Sequence, residues 1–378
     1  MSSALFRHGL GTLMNGRSLA HSTADPDTQM VPAATRDGWS ASSDKAYCRT
    51  MFRLRTVIAA TAGVLLSTLA VAILINTVDT ATTGRILATT NASLLLGAVG
   101  VLAVGVTIRI ARWHLLLPTQ HEGARVSVRR LAPPVLVGYL GNVILPARLG
   151  EGIRAASVWR REGIGLPEAL GSVVVERVLD TAVIGLFGFL SAVWLDAPIW
   201  LITGTALVAV VAVLLLAILI SGIGSWVASH LAGVGARWPR IISAANRFLR
   251  GAAVQDRFAV LGAVALTSVA WLLEALIVWL AAASLSIPLD PAGAMAIAAV
   301  AVLSTVIPAA PGYVGTYELA ASTAGTALGL PPETALALAV LVHAVTLVPL
   351  TIAGLLATVK LGMNLSNDAC TRGAKRAS

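Results

Sequence analysis

Two arginines and a glutamate lie within seven residues of the stretch NVILPARLGEGIRAA (142–156). The guanidinium groups of Arg148 and Arg154 can each bind two phosphate oxygens at once. Glu151 lies three residues from each arginine, a helical spacing that would let it hold either one in place. A helix that begins after Pro146 would also aim free backbone N–H groups at the anion. The stretch therefore predicts a phosphate site; the alternative is that both arginines are ordinary charges of a cytoplasmic loop.

A second charged group lies in VVVERVLDTAV (173–183), at the start of an apolar run. Glu176 and Asp180 are four residues apart and share a helix face, while Arg177 can pair with Asp180 three residues further on. One interpretation is an ion pair that stabilises helix packing, and the other is a polar wall for a lipid headgroup. A charge in the middle of a membrane helix costs about 3 kcal/mol, so such residues are candidates for function.

Three more ionisable residues lie in or beside later apolar runs. Glu274 is near the middle of its run, where we expect it to be protonated or paired with an arginine of a broken segment. It is interpreted either as a helix–helix contact or as a ligand for a headgroup or proton. Glu318 would face an amine or an arginine. His343 would be a packing partner or, if it faces a cavity, a proton carrier.

The composition indicates that these residues belong to a polytopic α-helical membrane protein. Of 378 residues, 57% are hydrophobic and 12% are charged, half the charged share of about 25% in soluble domains. The net charge of +9 comes from basic residues beside apolar runs, without the aromatic or zinc patterns of nucleic-acid binding, so no nucleic-acid partner is predicted. Cys48 and Cys370 lie in polar tails, and they support neither a disulfide framework nor a metal site.

Six apolar runs are predicted to cross the membrane as helices. The basic residues beside them place both termini in the cytoplasm, and they assign Arg109 and Arg112 to a cytoplasmic loop. Residues 1–50 are predicted to be a disordered cytoplasmic tail, 51–361 the membrane domain, and 362–378 a second cytoplasmic tail. The six runs are 57–75, 92–111, 170–195, 198–220, 258–289 and 334–359.

Two segments between these runs are broken by prolines and glycines. The first, 131–146, is short for a hydrocarbon core of about 30 Å, and basic residues flank it on both sides. The second, 295–330, must begin and end outside if the C-terminus is cytoplasmic. Both are therefore predicted to be re-entrant elements, which are tolerated only where protein or a water-filled cavity covers the backbone.

The two broken segments share a short motif, because VILPARLG (143–150) and TVIPAAPG (305–312) both contain Pro-Ala-x-x-Gly after aliphatic residues. Each half of the chain is predicted to contain two spans, then a broken element, then one further span. Since three crossings per half is an odd number, the second half is inverted. Broken segments at corresponding positions of inverted halves point to a central transport site. We therefore predict two inverted-topology repeats, about 55–196 and 197–361.

The segment 138–180 resembles the hallmark of the lysylphosphatidylglycerol synthase transmembrane region, also called the flippase-like domain family. That pattern, N-x-x-x-P-x-R-x-G-E-x-x-R followed by E-R-x-x-D, is matched here by Asn142, Pro146, Arg148, Gly150, Glu151, Arg154, Glu176, Arg177 and Asp180. IPAAPGYVGTYE is similar to the family's proline-glycine motif, at Pro308, Pro311, Gly312, Gly315 and Glu318. Where the family often has two adjacent glycines, this chain has Gly312-Tyr313, which leaves the local backbone open. The resemblance covers about 55–360.

The resemblance implies a multi-pass protein of the bacterial or archaeal inner membrane. The family includes the domain that moves aminoacylated phosphatidylglycerol between leaflets, and stand-alone members linked to glycolipid or polyprenyl-lipid pathways. Because the chain ends soon after its last span, we expect it to lack the soluble aminoacyl-transferase domain and synthase activity.

The leading hypothesis is therefore a flippase-like transporter of a lipid with an anionic headgroup, without catalytic residues, metal or cofactor. No phosphate-binding loop of the G-x-x-x-x-G-K-[ST] type is present in the sequence, so ATP is not expected to drive it. Its candidate substrate-binding residues are the motif residues named above together with Glu274 and His343. The alternatives are an intramembrane enzyme that acts on lipid phosphates or glycolipids, with Glu176 and Asp180 as an acid–base pair, and a non-catalytic partner in envelope assembly. A homo-oligomer and a complex with a lipid-synthesis enzyme both stay open.

Overall fold

The described part of the chain is helical throughout in the computed structural model. It comprises residues 61–119, 125–145, 148–220, 239–252, 257–307 and 309–377, with the backbone alone described at 220, 239–241, 257 and 363–377. These ranges contain helices and turns and no β-strand, which confirms the predicted all-α class. The whole of the predicted N-terminal tail (1–50), Pro146 and Pro308 lie outside the described residues.

The helices of the described ranges are numbered here in chain order. They are α1 (Thr61–Thr77), α2 (Thr80–Ala88), α3 (Ala92–Leu116), α4 (Val128–Ile144), α5 (Leu149–Glu162), α6 (Leu166–Trp194), α7 (Ile199–Ile220), α8 (Pro239–Ala252), α9 (Arg257–Ser284), α10 (Pro291–Ser304), α11 (Thr316–Ala327) and α12 (Pro332–Ala377). A short 3₁₀ turn, Pro311–Tyr313, lies between α10 and α11.

Four helices are long and apolar enough to cross a membrane, namely α3, α7, α9 and the first 31 residues of α12. The pair α1 and α2 meets at a bend of 89° and adds a fifth span if the pair is counted as one. The remaining predicted span corresponds to α6, which has 29 residues and is about 43 Å long, but carries four charged residues in its first half. The chain is therefore a multi-pass membrane protein, and each predicted run overlaps a helix.

α3 is longer than the sequence predicted. The predicted span ends at residue 111, with Arg109 and Arg112 in a cytoplasmic loop, but the helix continues to Leu116. The Arg112 side chain is fully buried and that of Arg109 is 12% exposed. The loop assignment was wrong because it took basic residues at the end of an apolar run to face water. Here carboxylates of α6 and α9 pair with both arginines instead.

The first broken element is a hairpin of two short helices. α4 is continuous through Pro133 and Pro134, so the break follows the helix and does not occur at those prolines, which packed membrane helices tolerate. With lengths of about 26 and 21 Å, neither α4 nor α5 reaches across a core of about 30 Å. Glycines let the two helices approach closely: a Cβ on Gly150 would lie 2.0 Å from the carbonyl oxygen of Gly138.

The second broken element is also a helical hairpin. α10 has 14 residues and α11 has 12, so both are too short to cross alone. The buried residues of α10 are mostly alanines, which let neighbouring helices pack closely in a membrane. Asp290 caps the helix by accepting a hydrogen bond from the Gly293 N–H at 2.7 Å. The chain then turns back through the 3₁₀ turn.

Each hairpin packs against the other half of the chain. α4 lies against α12, α10 lies against α6, and α3 and α9 lie against each other. These contacts bring Arg148, which follows α4, beside Thr305, the residue that follows α10. The repeat boundaries, the inversion across the membrane and the cytoplasmic tails stay predictions.

Candidate functional site

Arg112 of α3 is the centre of a buried ion-pair network. Its Nη2 donates to Glu176 Oε1 at 2.6 Å and to Asp180 Oδ2 at 3.1 Å. Its Nη1 donates to Asp180 Oδ1 and, at 3.1 Å, to the hydroxyl of Thr267. The Trp271 indole N–H also donates to Asp180, at 3.1 Å. Because both carboxylates are almost inaccessible to water, this arginine supplies the compensating charge that their burial requires.

Arg154 of α5 joins the network from the first hairpin. Its Nη2 lies 2.7 Å from Glu176 Oε2 and 2.9 Å from Glu151 Oε2. Its guanidinium also lies over the Trp113 ring, 4.4 Å from the centroid, in cation–π geometry. The residue is 3% exposed. The arginine that the sequence assigned to a phosphate is thus already neutralised by carboxylates.

Arg177 lies at the edge of the network, with 31% of its side chain exposed. Its Nη2 is 3.1 Å from Asp180 Oδ2, which is the helical pair that the spacing predicted. Its Nε is 3.6 Å from Glu151 Oε1. Glu151 therefore links Arg177 to Arg154, and the first hairpin to α6.

Arg109 and Glu274 form a separate pair between α3 and α9. Arg109 Nη2 donates to Glu274 Oε2 at 2.8 Å, and the guanidinium lies 5.2 Å from the centroid of the Trp271 ring. Glu274 was expected to pair with an arginine of a broken segment, if ionised. Its partner comes instead from α3, because that helix packs along α9.

The charges of these two groups balance. Four arginines face four carboxylates, so the formal charge of the set is zero when every member is ionised. The set comprises Arg109, Arg112, Arg154 and Arg177, with Glu151, Glu176, Asp180 and Glu274. Because these four arginines are already paired, a cation outside the set can attract an external anion without breaking one of the ion pairs.

Two adjoining cavities of about 190 and 210 Å³ border these charges. Both are lined by Tyr139, Arg177, Thr305, Thr346 and Leu350, so they lie side by side, and together they are called the central cavity here. One end is lined by Arg109, Asp180, Trp271 and Glu274; the other is lined by Asn142, Arg148, Glu151, Gly312, Tyr313, Tyr317 and His343. Residues of both hairpins therefore meet at its wall.

Arg148 differs from the other arginines of the cavity. It is half-buried, and its Nε donates to the Thr305 carbonyl oxygen at 3.0 Å while its Nη2 donates to the Thr305 hydroxyl. The guanidinium lies 5.8 Å from the centroid of the Tyr313 ring. Within the described residues no carboxylate lies in salt-bridge distance of it. Arg148 thus brings a positive charge to the cavity that this part of the protein does not neutralise.

The α4 wall of the cavity carries two buried polar atoms without a hydrogen-bond partner among the described residues. They are the Tyr139 hydroxyl and Asn142 Oδ1. A buried polar group without a partner costs free energy, so such atoms are expected where a ligand or water completes their bonds. Both atoms belong to the wall that also contains Arg148.

The turn after α10 has a left-handed backbone at both positions that the sequence left open. Gly312 has φ 69° and Tyr313 has φ 57°, and Gly315 follows with φ 90°. A residue with a side chain is disfavoured in this region by about 1–2 kcal/mol. Tyr313 adopts it here, and its ring lies beside the Arg148 guanidinium.

Glu318 and His343 are bonded to each other, and His343 lies at the end of the cavity that also contains Arg148. Glu318 Oε2 accepts from the Gly315 N–H at 2.7 Å, and Oε1 lies 2.6 Å from His343 Nδ1. The imidazole stacks on the Tyr317 ring, with centroids 4.3 Å apart. His343 lines the cavity, and its partner is the glutamate that the second motif contains.

The predicted site residues that line the central cavity are Asn142, Arg148, Glu151, Arg177, Asp180, Glu274, Gly312 and His343. Arg154, Glu176 and Glu318 are not lining residues, but each bonds to a neighbour of this set. Pro311, Gly312 and Gly315 form the turn that borders the cavity, and Gly150 is the contact between α4 and α5. Pro146 and Pro308 cannot be placed, since they lie outside the described residues. Sequence reasoning missed Arg109, Arg112, Thr267 and Trp271. The pair Arg109 and Arg112, with three-residue spacing before Trp113 and three leucines, was a signal that the helix continued.

Among the described residues, no group of three or more His, Cys, Asp or Glu side chains is arranged to hold a metal ion.

A comparison with protein families matches residues 60–354 to the family described as Lysylphosphatidylglycerol synthase TM region. A curated relative, "Glycosyltransferase AglD" of Haloferax volcanii, is 26% identical over 352 residues. The alignment covers 83% of this chain and 56% of that relative, so the chain spans just over half of the relative's length. Because the family match extends over more than three quarters of the chain, the chain belongs to the lysylphosphatidylglycerol synthase transmembrane family.

Proposed function

We propose that this member of the family is a flippase-like transporter that moves a phosphate-bearing lipid between leaflets, and that its central cavity receives the headgroup. The substrate class comprises aminoacylated phospholipids, glycolipids and polyprenyl-linked lipids. All of these present an anionic phosphate next to an apolar chain. From the family we infer a bacterial or archaeal inner membrane, and from the basic loops we infer that both termini are cytoplasmic.

The proposal depends chiefly on the unneutralised guanidinium of Arg148. Arg109, Arg112, Arg154 and Arg177 already have carboxylate partners. Arg148 has the neutral groups of Thr305, which can be exchanged for phosphate oxygens without stranding a buried carboxylate. A guanidinium in a cavity surrounded by apolar helices attracts an anion more strongly than one in water does, because the effective dielectric constant inside the protein is lower.

Three neighbouring features support a headgroup at this position. The Tyr139 hydroxyl can donate to a phosphate oxygen, and Asn142 lies one helical turn from it on the same wall. Arg148 directly precedes α5, and among the described residues no side chain caps that helix. The positive end of the helix dipole therefore adds to the attraction for an anion.

Arg154 has a positioning role in this proposal, in place of the phosphate contact that the sequence suggested. It ties α5 to α6 through Glu176 and thereby fixes where the hairpin places Arg148. Transport then requires the cavity to open to each leaflet in turn, as in other carriers built from inverted repeats. The exchange of hairpins between the two halves supplies an interface at which such a movement can occur.

A leaflet assay in liposomes tests the proposal. Purified protein is reconstituted with fluorescent phosphatidylglycerol, and dithionite quenching reports how fast the lipid changes leaflet. We expect the protein to accelerate this exchange and Arg148→Gln to abolish most of the acceleration. Arg160→Gln, an exposed arginine on the same helix, is the matched control and should leave it intact. Equal rates for Arg148→Gln and the unchanged protein would rule out the headgroup role.

An intramembrane enzyme is the second candidate, and the similarity to a relative named as a glycosyltransferase favours it. The acid–base pair expected from the sequence, Glu176 and Asp180, is bound by arginines and nearly inaccessible to water. Glu318 and His343 would be the available acid–base groups in this case. Mass spectrometry of native lipid extract incubated with the protein distinguishes the two candidates, since an enzyme converts a lipid and a transporter leaves it chemically unchanged.

A further inference from the structure

We propose that Glu318 and His343 form a proton-binding pair that takes up one proton when an anionic headgroup enters the central cavity beside Arg148. This inference rests on the proposed function and deepens it by naming the ion that accompanies the lipid. The ligand of the pair is the proton itself, and the site is the imidazole of His343.

The geometry of the pair leaves one nitrogen for the incoming proton. An ionised Glu318 accepts on both oxygens, from the Gly315 N–H and from the imidazole. Because Oε1 accepts, His343 Nδ1 must be protonated, and Nε2 carries the free lone pair. A proton from water binds there and the imidazole becomes a cation, still hydrogen-bonded to the carboxylate. No bond other than this N–H forms or breaks.

Charge balance gives the reason for proton uptake. The four arginines and four carboxylates cancel. Arg148 and Glu318 are not paired with each other, but their formal charges add to zero, so the total charge around the empty cavity is zero when His343 is neutral. A phosphodiester headgroup adds one negative charge. An uncompensated charge inside a membrane protein is costly, and an imidazole is the side chain that changes charge near neutral pH. Protonation of His343 restores neutrality.

His343 is the one histidine among the described residues that lines the central cavity. The other ionisable groups of that cavity are tyrosines or members of the balanced set, apart from Arg148. They are Tyr317 on α11, Tyr313 on the turn, Tyr139 on α4, Arg148 and Glu151 at the start of α5, Arg177 and Asp180 on α6, Arg109 on α3 and Glu274 on α9. Glu318 bonds His343 but is not itself a lining residue. Arg85 on α2, another helix packed against α12, lines a different cavity.

The test uses full-length protein in liposomes containing fluorescent phosphatidylglycerol, with and without a pH gradient. We expect the gradient to change the rate of leaflet exchange about tenfold in one direction, with proton movement recorded by a trapped pH dye. His343→Gln keeps an amide to bond Glu318 but cannot titrate, so its residual exchange should not respond to the gradient. His114→Gln, whose imidazole contacts the Val126 carbonyl outside the cavity, is the matched control and should respond normally.

The outcomes separate the two proposals. Exchange that ignores the gradient in the unchanged protein, or a gradient response retained by His343→Gln, overturns the proton role and leaves the lipid transporter standing. A complete absence of lipid exchange in the unchanged protein overturns the proposed function, and the proton role with it. A structural role of the pair alone would lower the rate of His343→Gln but preserve its pH response, which also counts against the proposal.

Discussion

The buried arginines of the ion-pair network and Arg148, which lines the central cavity, differ in what surrounds them. Arg112 and Arg154 lie deep between α3, α5 and α6, where carboxylates and tryptophan rings enclose them. Arg148 lies only six residues before Arg154, yet a threonine and a tyrosine ring are its neighbours. The buried arginines hold helices together. Arg148 keeps a charge that a ligand can neutralise. Residues of one motif therefore have two roles, one structural and one in binding.

This division has a physical reason. Buried charges need partners inside the protein, and removing one partner strands the other in a medium of low dielectric. A ligand site needs the reverse, a charge whose protein partners are neutral and weakly held. Substitutions in the closed network should therefore affect folding, and substitutions around Arg148 should affect lipid binding with folding preserved. The four predictions below test that distinction.

The largest effect is expected from Arg112→Met. It leaves Glu176 and Asp180 buried without their main counter-charge, which costs about 3–5 kcal/mol for a broken buried pair. We expect a large loss of monodisperse protein in detergent and a lower melting temperature, measured by fluorescence-detected size exclusion. Arg125→Met, a basic residue just before α4 without an ion pair among the described residues, is the control. Equal thermal stability of the two variants would contradict a structural role for the network.

Gly150→Ala tests the contact that both groups share. A Cβ at this position would meet the Gly138 carbonyl oxygen at 2.0 Å and Asn142 Oδ1 at 2.5 Å, so the α4–α5 hairpin must open. Overpacking of this kind costs about 1–3 kcal/mol. We expect both thermal stability and lipid exchange to fall.

Gly152→Ala supplies the comparison for that variant, because a Cβ there meets no atom within 4 Å. Alanine is favoured over glycine within a helix by about 0.5–1 kcal/mol, so this variant should be as stable as the unchanged protein or slightly more stable. If both alanine variants behave alike, close glycine packing does not hold the hairpin.

Arg148→Lys tests whether the shape of the Arg148 side chain, and not its charge alone, contributes to lipid binding. The charge is kept, but the planar fork that binds two phosphate oxygens is lost. One charged hydrogen bond contributes about 1.5–3 kcal/mol, so affinity for dihexanoyl phosphatidylglycerol should fall about tenfold or more. The melting temperature of the protein without lipid should not change. Microscale thermophoresis measures the affinity, and a fall in melting temperature instead of affinity would place Arg148 with the closed network.

The smallest effect is expected from Thr305→Val. It removes the hydroxyl that accepts from Arg148 Nη2 but leaves the backbone carbonyl that accepts from Nε. A single hydrogen bond contributes about 1 kcal/mol, so lipid affinity should change by roughly fivefold. Thr351→Val removes a hydroxyl that bonds only its own helix, at Leu347, and should leave affinity unchanged. An equal change in both variants would show that Thr305 does not position Arg148.

Much of the fold could be predicted because membrane helices leave a strong local signal. Each of the six apolar runs overlaps a helix, and both broken segments are hairpins of short helices. The boundaries were less certain, as α3 shows by continuing through two arginines. Hydropathy scores a charge by its type, and it cannot register a carboxylate on another helix that makes the charge tolerable.

The sequence pointed to some of the residues around the cavity and to the pair Arg177 and Asp180 on one helix, but it missed Arg109 and Arg112 and could not give pairs between helices. The motif residues and Glu274, Glu318 and His343 could be selected because charges in apolar runs are costly. The partner of Glu274 is 165 residues away in sequence, and spacing rules do not reach that far. The left-handed backbone of Tyr313 likewise depends on the surrounding turn, since nothing in tyrosine itself favours that conformation.

Hydrophobic length and charge are local properties of the chain, so they were enough to predict an all-α membrane protein with two interrupted elements and a set of charges near them. Which of those charges neutralise each other depends on contacts between helices and could be seen only in the folded protein. Arg154 and Arg148 are equivalent in the motif, but Arg154 pairs with Glu176 of α6, while Arg148 bonds Thr305, which follows α10. That difference arises where helices distant in sequence meet, and it leaves Arg148 as the cation offered to a ligand.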